Sequence, residues 1–351
     1  MARPVLTHVQ ILRFIAAGSV LLTHSADLLI ARSSLFFRVP WDAGVDLFFV
    51  ISGFIMAWLT WDRFGEAGVP HRFLLRRAIR IAPPYWFFTS VMLVTALAGS
   101  SQVRHTAVAA AQVITSYGFF PWPRPSDGRL NPILSQGWTL NYEAFFYLAF
   151  TLALTRRHGL RWLTAAFVTL AALHYAIPHR LFVLAFYTEP IVLEFLAGIG
   201  LARLYIAGVR LPLWGSLLCA AVAIAILLNL RSIPPIISSR VVIAGIPAAL
   251  LSASLILARE GSRFGTFKRL LRAGGDASYT LYLSHTFTAN AVALAWRRLG
   301  IGMPWIGVAL AVAVSLAAAL ILYRAVERPV TRALNERFGL SPPDEAQRVA
   351  P

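Results

Sequence analysis

Arg13 and His24 lie eleven residues apart in one apolar stretch near the start of the chain. Eleven helical steps make roughly three turns plus about 20°, so both side chains leave one helix face, separated by a rise of roughly 16 Å. That is about half of a ~30 Å hydrocarbon core. Ionisable groups inside a membrane span are costly, and they point to function. The imidazole can take or give a proton near neutral pH. The guanidinium can hold an anion with forked hydrogen bonds. The pair suggests a track from one membrane face to a proton-handling group near the middle.

Further groups recur along the chain. Arg76, Arg77 and Arg80 precede Pro83-Pro84-Tyr85-Trp86. Arg77 and Arg80 are i,i+3 and share a helix face, which Arg76 nearly joins. Such a cluster suits phosphate recognition, and equally suits topology and anionic lipid heads. Asp46 and Ser52 belong to Gly44-Val-Asp-Leu-Phe-Phe-Val-Ile-Ser-Gly-Phe54. Asp46 could pair with an arginine or orient a histidine, or simply snorkel while the Ser-Gly pair lets helices pack closely. Gly137-Trp138-Thr-Leu-Asn-Tyr142-Glu143 leads to Tyr147. An intramembrane Glu143 needs a partner or a water-filled cavity. Trp138 and Tyr142 fit an interface belt or a sugar-stacking platform. Glu189 and Glu194 are five residues apart and do not share a face. Tyr282, Ser284 and His285 lie close together in a late apolar stretch. Ser284 and His285 point about 100° apart, so they are not by themselves a nucleophile–base pair, and His285 also fits a satisfied buried polar group. No metal-binding or nucleophile-elbow pattern occurs.

The elements that must hold these groups are membrane helices. The 351 residues are 58% hydrophobic and only 13% charged, with mean hydropathy +0.67. This predicts an all-α, polytopic bundle. Ten spans are expected near 9–30, 43–61, 82–99, 139–155, 161–177, 188–207, 212–230, 240–258, 277–296 and 303–323. The membrane core is assigned to residues 1–335, and 336–351 to a polar, disordered cytoplasmic tail. Residues 105–120 suit an amphipathic helix on the membrane surface. The first stretch reads as an uncleaved helix rather than a signal peptide. The net charge of +17 is interleaved with apolar spans, which argues for topology rather than nucleic acid. With an even number of spans, Lys and Arg favour the side holding the termini by about two to one, placing both in the cytoplasm. Arg240 falls among the outer-side charges. A single cysteine, Cys219, excludes a disulfide framework and a Cys-based metal site.

Taken together in order, the motifs resemble the bacterial membrane acyltransferases of acyltransferase family 3. The resemblance runs from Gln10 to about Pro329: Arg13 and His24, the Gly44–Phe54 segment, Arg76-Arg-Ala-Ile-Arg80 with Pro83-Pro-Tyr-Trp86, Gly137–Tyr147, Ser278-Tyr-Thr-Leu-Tyr-Leu-Ser-His285, and Val326-Glu-Arg-Pro329. The wording around Glu143 looks most like the exopolysaccharide-acetylating branch. The resemblance implies a multi-pass enzyme of the bacterial inner membrane. It implies transfer of an acyl group, usually acetyl from cytoplasmic acetyl-CoA, to a sugar hydroxyl of a polysaccharide or its lipid-linked precursor. Acyl-CoA is then a donor substrate, with no permanently bound cofactor and no metal. His24 matches the catalytic histidine, as general base or transient acyl carrier. Arg13, Arg77 and Arg80, with neighbouring Arg76, match donor-handling positions, and Glu143, counted with His24 as catalytic, matches an acidic position near the acceptor side. Asp46, Ser52, Trp138, Tyr142, Tyr147, Tyr282, Ser284 and His285 are the supporting set. Partners are the donor, the glycan acceptor and membrane lipids; a homodimer or a polysaccharide-synthesis complex stays open. The competing readings are a transporter or flippase of a lipid-linked sugar, and a non-catalytic scaffold.

Overall fold

The computed structural model describes residues 6–30, 36, 40–98, 109–178, 180–229, 239–259 and 265–340. Among them the regular structure is helical, with one isolated bridge between Leu211 and Ala258. The expected tail therefore falls mainly on residues outside the described ones. Leu340, the last described residue, is buried and receives Arg76 Nη2 on its carbonyl at 3.5 Å.

Each expected span coincides with helix. The first four helices are α1 (Thr7–Leu29), α2 (Gly44–Thr60), α3 (Val69–Leu97) and the short α4 (Ala110–Tyr117). The middle of the chain holds α5 (Trp138–Leu154), α6 (Gly159–Leu173), α7 (Phe182–Thr188), α8 (Leu193–Ile206) and α9 (Leu213–Leu228). A π-turn, Val241–Gly245, leads into α10 (Ile246–Ile256). The last four are α11 (Gly265–Asp276), α12 (Ser278–Arg298), α13 (Pro304–Leu322) and α14 (Arg328–Arg337), the final pair joined by a second π-turn, Tyr323–Glu327. Among the described residues four helical stretches are long and apolar enough to cross a membrane: Thr7–Leu29, Trp41–Thr60, Phe182–Ile206 and Pro304–Arg337.

The third span differs most from the sequence expectation. The helix starts well before the expected residue 82, so the arginine motif lies inside a single 29-residue helix that also carries Pro83 and Pro84. Pro70 at its start is preorganised for a helix and needs no amide partner there. Only part of the expected surface helix is described, as α4. Its end is tied to α3 by Trp86 Nε1 donating to the Tyr117 carbonyl at 2.9 Å.

The core forms where α1, α2, α8 and α12 meet. Backbone contact between α2 and α8 is made possible by two glycines. A Cβ at Gly53 would overlap the Phe195 carbonyl, and one at Gly198 would overlap the Val50 carbonyl. Helices in lipid lack a hydrophobic drive to associate, so close packing at small residues carries more of the stability. Phe146, Phe195 and Phe49 fill the adjoining space, with the Phe146 and Phe195 rings stacked at 4.2 Å. The buried faces thus place α1 and α12, the two histidine-bearing helices, side by side.

Candidate active site

His24 and His285 meet. His24 Nδ1 lies 2.9 Å from His285 Nε2, and the ring centroids are 4.9 Å apart. His285 is almost wholly buried, and its Nδ1 lies 3.2 Å from the Leu281 carbonyl one turn back. A carbonyl only accepts, so His285 Nδ1 carries the proton. In a neutral ring Nε2 is then the acceptor, and His24 Nδ1 must donate to it. The remaining nitrogen, His24 Nε2, keeps a bare lone pair. This is the tautomer required of a base or nucleophile.

The arginines divide. Arg77 and Arg80 turn inward, whereas Arg76 is exposed and reaches only toward Leu340. Arg77 Nε and Arg80 Nη2 are buried atoms without a hydrogen-bond partner. Arg13 feels the Arg80 charge, offset by Glu327, Asp276 and Glu143. It also donates to Gln10 Oε1 at 3.3 Å, and Gln10 Nε2 donates to Asp276 Oδ1 at 2.8 Å. Thr280 donates to Glu327, and the Tyr279 hydroxyl donates to the Ile81 carbonyl at 2.8 Å, locking α12 against α3 beside Arg80. Buried N–H groups are rarely left unsatisfied, and Arg77 and Arg80 each keep one guanidinium donor that no described group satisfies.

Glu143 belongs with these arginines. Ser52 Oγ donates to Glu143 Oε1 at 2.9 Å, and the Tyr147 hydroxyl donates to the same oxygen. Its charge acts on Arg13 and Arg77. No described contact joins it to the His24–His285 pair. Ser284 is buried with its hydroxyl unpartnered, pointing away from His285 as their spacing requires. The Tyr282 hydroxyl meets Thr139 Oγ1 at 2.9 Å and donates to the Gln136 carbonyl at 3.0 Å, fastening α12 to the start of α5.

Asp46 has a partner that the sequence reading missed. Arg240 Nε and Nη2 fork onto its two oxygens at 3.0 and 2.7 Å, and Arg240 Nη1 lies 3.6 Å from Asp42. The guanidinium also sits 5.7 Å from the Trp138 ring. From α8 the buried Glu194 carboxyl faces Asp46. Gly245 leaves it room, since a Cβ there would approach Glu194 Oε1 to 2.7 Å. Tyr142 donates to the Phe186 carbonyl at 2.8 Å and stacks on the Phe186 ring at 4.0 Å. Trp138 and Tyr142 therefore line this second polar cluster, not the arginine one. Glu189, at the bend between α7 and α8, meets His174 at 3.2 Å. Among the described residues no cluster of three metal-ligating side chains occurs.

Residues 7–324 match the model of the acyltransferase domain family Acyl_transf_3. The chain belongs to this family. The enzyme is 36% identical over 299 residues to the exopolysaccharide production protein ExoZ of Rhizobium meliloti (strain 1021), covering 83% of this chain and 89% of the relative. It is 27% identical over 382 residues to the acyltransferase MdmB of Streptomyces mycarofaciens, covering 97% and 95%. No solved structure matches it. The protein is thus an acyltransferase built from apolar helices of membrane-spanning character, and the histidine pair, the inward arginines and the Asp46–Arg240 pair all lie within the matched residues.

Proposed function

We propose that the acyltransferase moves an acetyl group from cytoplasmic acetyl-CoA to a sugar hydroxyl of an exopolysaccharide or other cell-envelope glycan. It does so in the bacterial inner membrane, through ten spans with both termini cytoplasmic. The observation that carries the mechanism is the 2.9 Å contact between His24 Nδ1 and His285 Nε2, which leaves His24 Nε2 free. The unpartnered N–H groups of Arg77 and Arg80 support an anionic donor, because the phosphates of acyl-CoA would satisfy them. The donor phosphates bind at this end of α1. The extended pantetheine arm covers a distance of the order of the roughly 16 Å rise from Arg13 to His24. The name of the Rhizobium meliloti relative supports a polysaccharide acceptor.

In the reaction, His24 Nε2 takes the proton from the attacking hydroxyl as its oxygen bonds to the thioester carbonyl carbon. The tetrahedral adduct collapses with cleavage of the C–S bond. The proton on Nε2 passes to the departing thiolate, giving free CoA and the sugar ester. Throughout, His24 Nδ1–H stays donated to His285. That bond holds the ring and stabilises the imidazolium formed midway, as a triad's orienting group does. Glu143, fixed by Ser52 and Tyr147, offsets the positive charge of Arg13 and Arg77.

Purified protein in lipid vesicles with radiolabelled acetyl-CoA tests this. Wild type should release CoA and label an unacetylated glycan extract, and His24→Ala should do neither while remaining folded in the membrane. A transporter or scaffold would consume no thioester, and equal turnover by His24→Ala would remove the proposed base.

A further inference from the structure

A cavity of about 460 Å3 opens at the far ends of α1 and α12, lined in part by Asp27, Leu28, Trp296, Arg297, Gly302 and Pro304. This lies within the roughly 300–1,000 Å3 range of small-molecule sites. It is not part of the arginine site. Tyr279, which bonds α3 beside Arg80, and Trp296 lie at opposite ends of α12, roughly 25 Å apart along the helix. It does adjoin the histidine pair. Asp27 and Leu28 are three and four residues beyond His24, and those are the positions that neighbour a residue on a helix surface. The Asp27 carboxylate acts electrostatically on His24. Trp296 is eleven residues beyond His285, so both leave one face of α12.

The walls fit a pyranose. Trp296 backs onto α13 at Gly307, where a Cβ would come within 3.0 Å of the indole. The missing side chain lets the ring seat there. Its Nε1–H edge is buried on the α13 side, so what Trp296 can offer the cavity is the ring. An indole supplies a broad apolar face. The Asp27 carboxylate adds hydrogen-bond acceptors for hydroxyl groups, and the Arg297 guanidinium supplies donors. Arg297 also donates to the Leu28 carbonyl, which ties the two helix ends together. Resting on the acetyl-transfer reading above, we infer that this cavity binds the acceptor as a sugar residue, held by Trp296 and Asp27 with one hydroxyl directed down α1 to His24. Donor and acceptor then approach the histidine pair from opposite ends of the bundle.

The test uses full-length protein in vesicles, acetyl-CoA, and the unacetylated envelope oligosaccharides of a deletion strain. Trp296→Ala and Asp27→Asn should each raise the KM for the oligosaccharides by about tenfold, the equivalent of one good polar or stacking contact. The KM for acetyl-CoA should stay within about twofold, well under the energy of one such contact. Trp296→Phe keeps an aromatic ring beside Gly307 while giving up the indole's larger face, so it guards against a folding defect. It should show a smaller rise in the same KM alone. Gly302 faces open space. Gly302→Cys, in a Cys219→Ser background, should work normally until a bulky maleimide is attached, and then lose acceptor use while still binding acetyl-CoA. The oligosaccharides should slow that labelling. Unchanged acceptor KM in the Trp296 and Asp27 variants, with the labelled Gly302→Cys protein still active, would overturn the assignment. A rise in acetyl-CoA KM instead would make the cavity a donor site. Failure of wild type to transfer any acetyl group would overturn the acetyl-transfer reading itself, and this inference with it.

Discussion

Arg240 clamps both carboxylate oxygens of Asp46, joining the π-turn before α10 to the first turn of α2 through a fork whose carboxylate side is closed to solvent. Asp46 is wholly buried. Removing one partner of such a pair strands the other charge, a loss of about 3–5 kcal/mol. Arg240→Ala and Asp46→Asn should therefore each lower the unfolding temperature in detergent markedly. The double substitution Asp46→Asn with Arg240→Ala should lose less than the two single losses added together. Arg240→Lys should recover only part, since a point charge cannot reproduce the fork. Additive losses in thermal unfolding of the four proteins would show that the pair is not coupled.

His285 gives a sharper contrast. If its task is to accept the His24 Nδ1 proton, any acceptor at that place should serve in part. His285→Gln offers a side-chain carbonyl of similar reach, and kcat should fall by about tenfold at most, a fraction of the general-base contribution. His285→Phe keeps bulk but supplies no acceptor, freeing His24 to carry its proton on Nε2. Its kcat should fall by roughly 10²–10⁴-fold, the scale of general-base catalysis, with acetyl-CoA KM little changed. Equal losses in both variants, measured as initial rates of CoA release, would reduce His285 to a packing residue.

Much of this was readable in the chain, and the reasons for the exceptions differ. Apolar length marked the helices because nothing else satisfies backbone groups in lipid. The Arg13–His24 register followed from helix geometry alone. The His24–His285 contact did not, because 261 residues separate the two and both flanking stretches are simply apolar. Arg240 was read as an outer-side topology charge, since an arginine at a span end carries no mark of what it pairs with. Its paired Asp46 was legible only as a buried acid in need of a partner. The acidic Glu143 was expected on the acceptor side through family resemblance. Its bond to Ser52, 91 residues away, and its pull on Arg13 and Arg77 were not legible in the chain.

The division of the arginines predicts a division of phenotypes. A charge-assisted hydrogen bond contributes about 1.5–3 kcal/mol, so Arg77→Ala or Arg80→Ala should weaken acetyl-CoA binding by roughly ten- to 150-fold. Arg76→Ala, which loses only an exposed 3.5 Å contact to Leu340, should bind the donor almost as wild type does. Calorimetric titration with a non-hydrolysable acetyl-CoA analogue measures this directly. Equal affinities across the three variants would leave the motif with a topological role.

The α2–α8 contact predicts where the bundle is least tolerant of a single methyl. Gly53 and Gly198 face each other's helices so closely that an added Cβ would overlap a backbone carbonyl, which no rotamer change relieves. Gly53→Ala or Gly198→Ala must push the helices apart and open the Phe49–Phe195–Phe146 packing beside them. Overpacking of this kind costs about 1–3 kcal/mol, occasionally more. Gly200 lies two residues further along the same helix with nothing within 4 Å of its Cβ position. Gly200→Ala should be neutral or slightly stabilising, because alanine favours the helix by about 1 kcal/mol over glycine. Thermal unfolding of the three variants, read alongside transferase activity, decides the matter. If Gly198→Ala unfolds no earlier than Gly200→Ala, the close approach of α2 and α8 is not what holds the histidine-bearing helices in register.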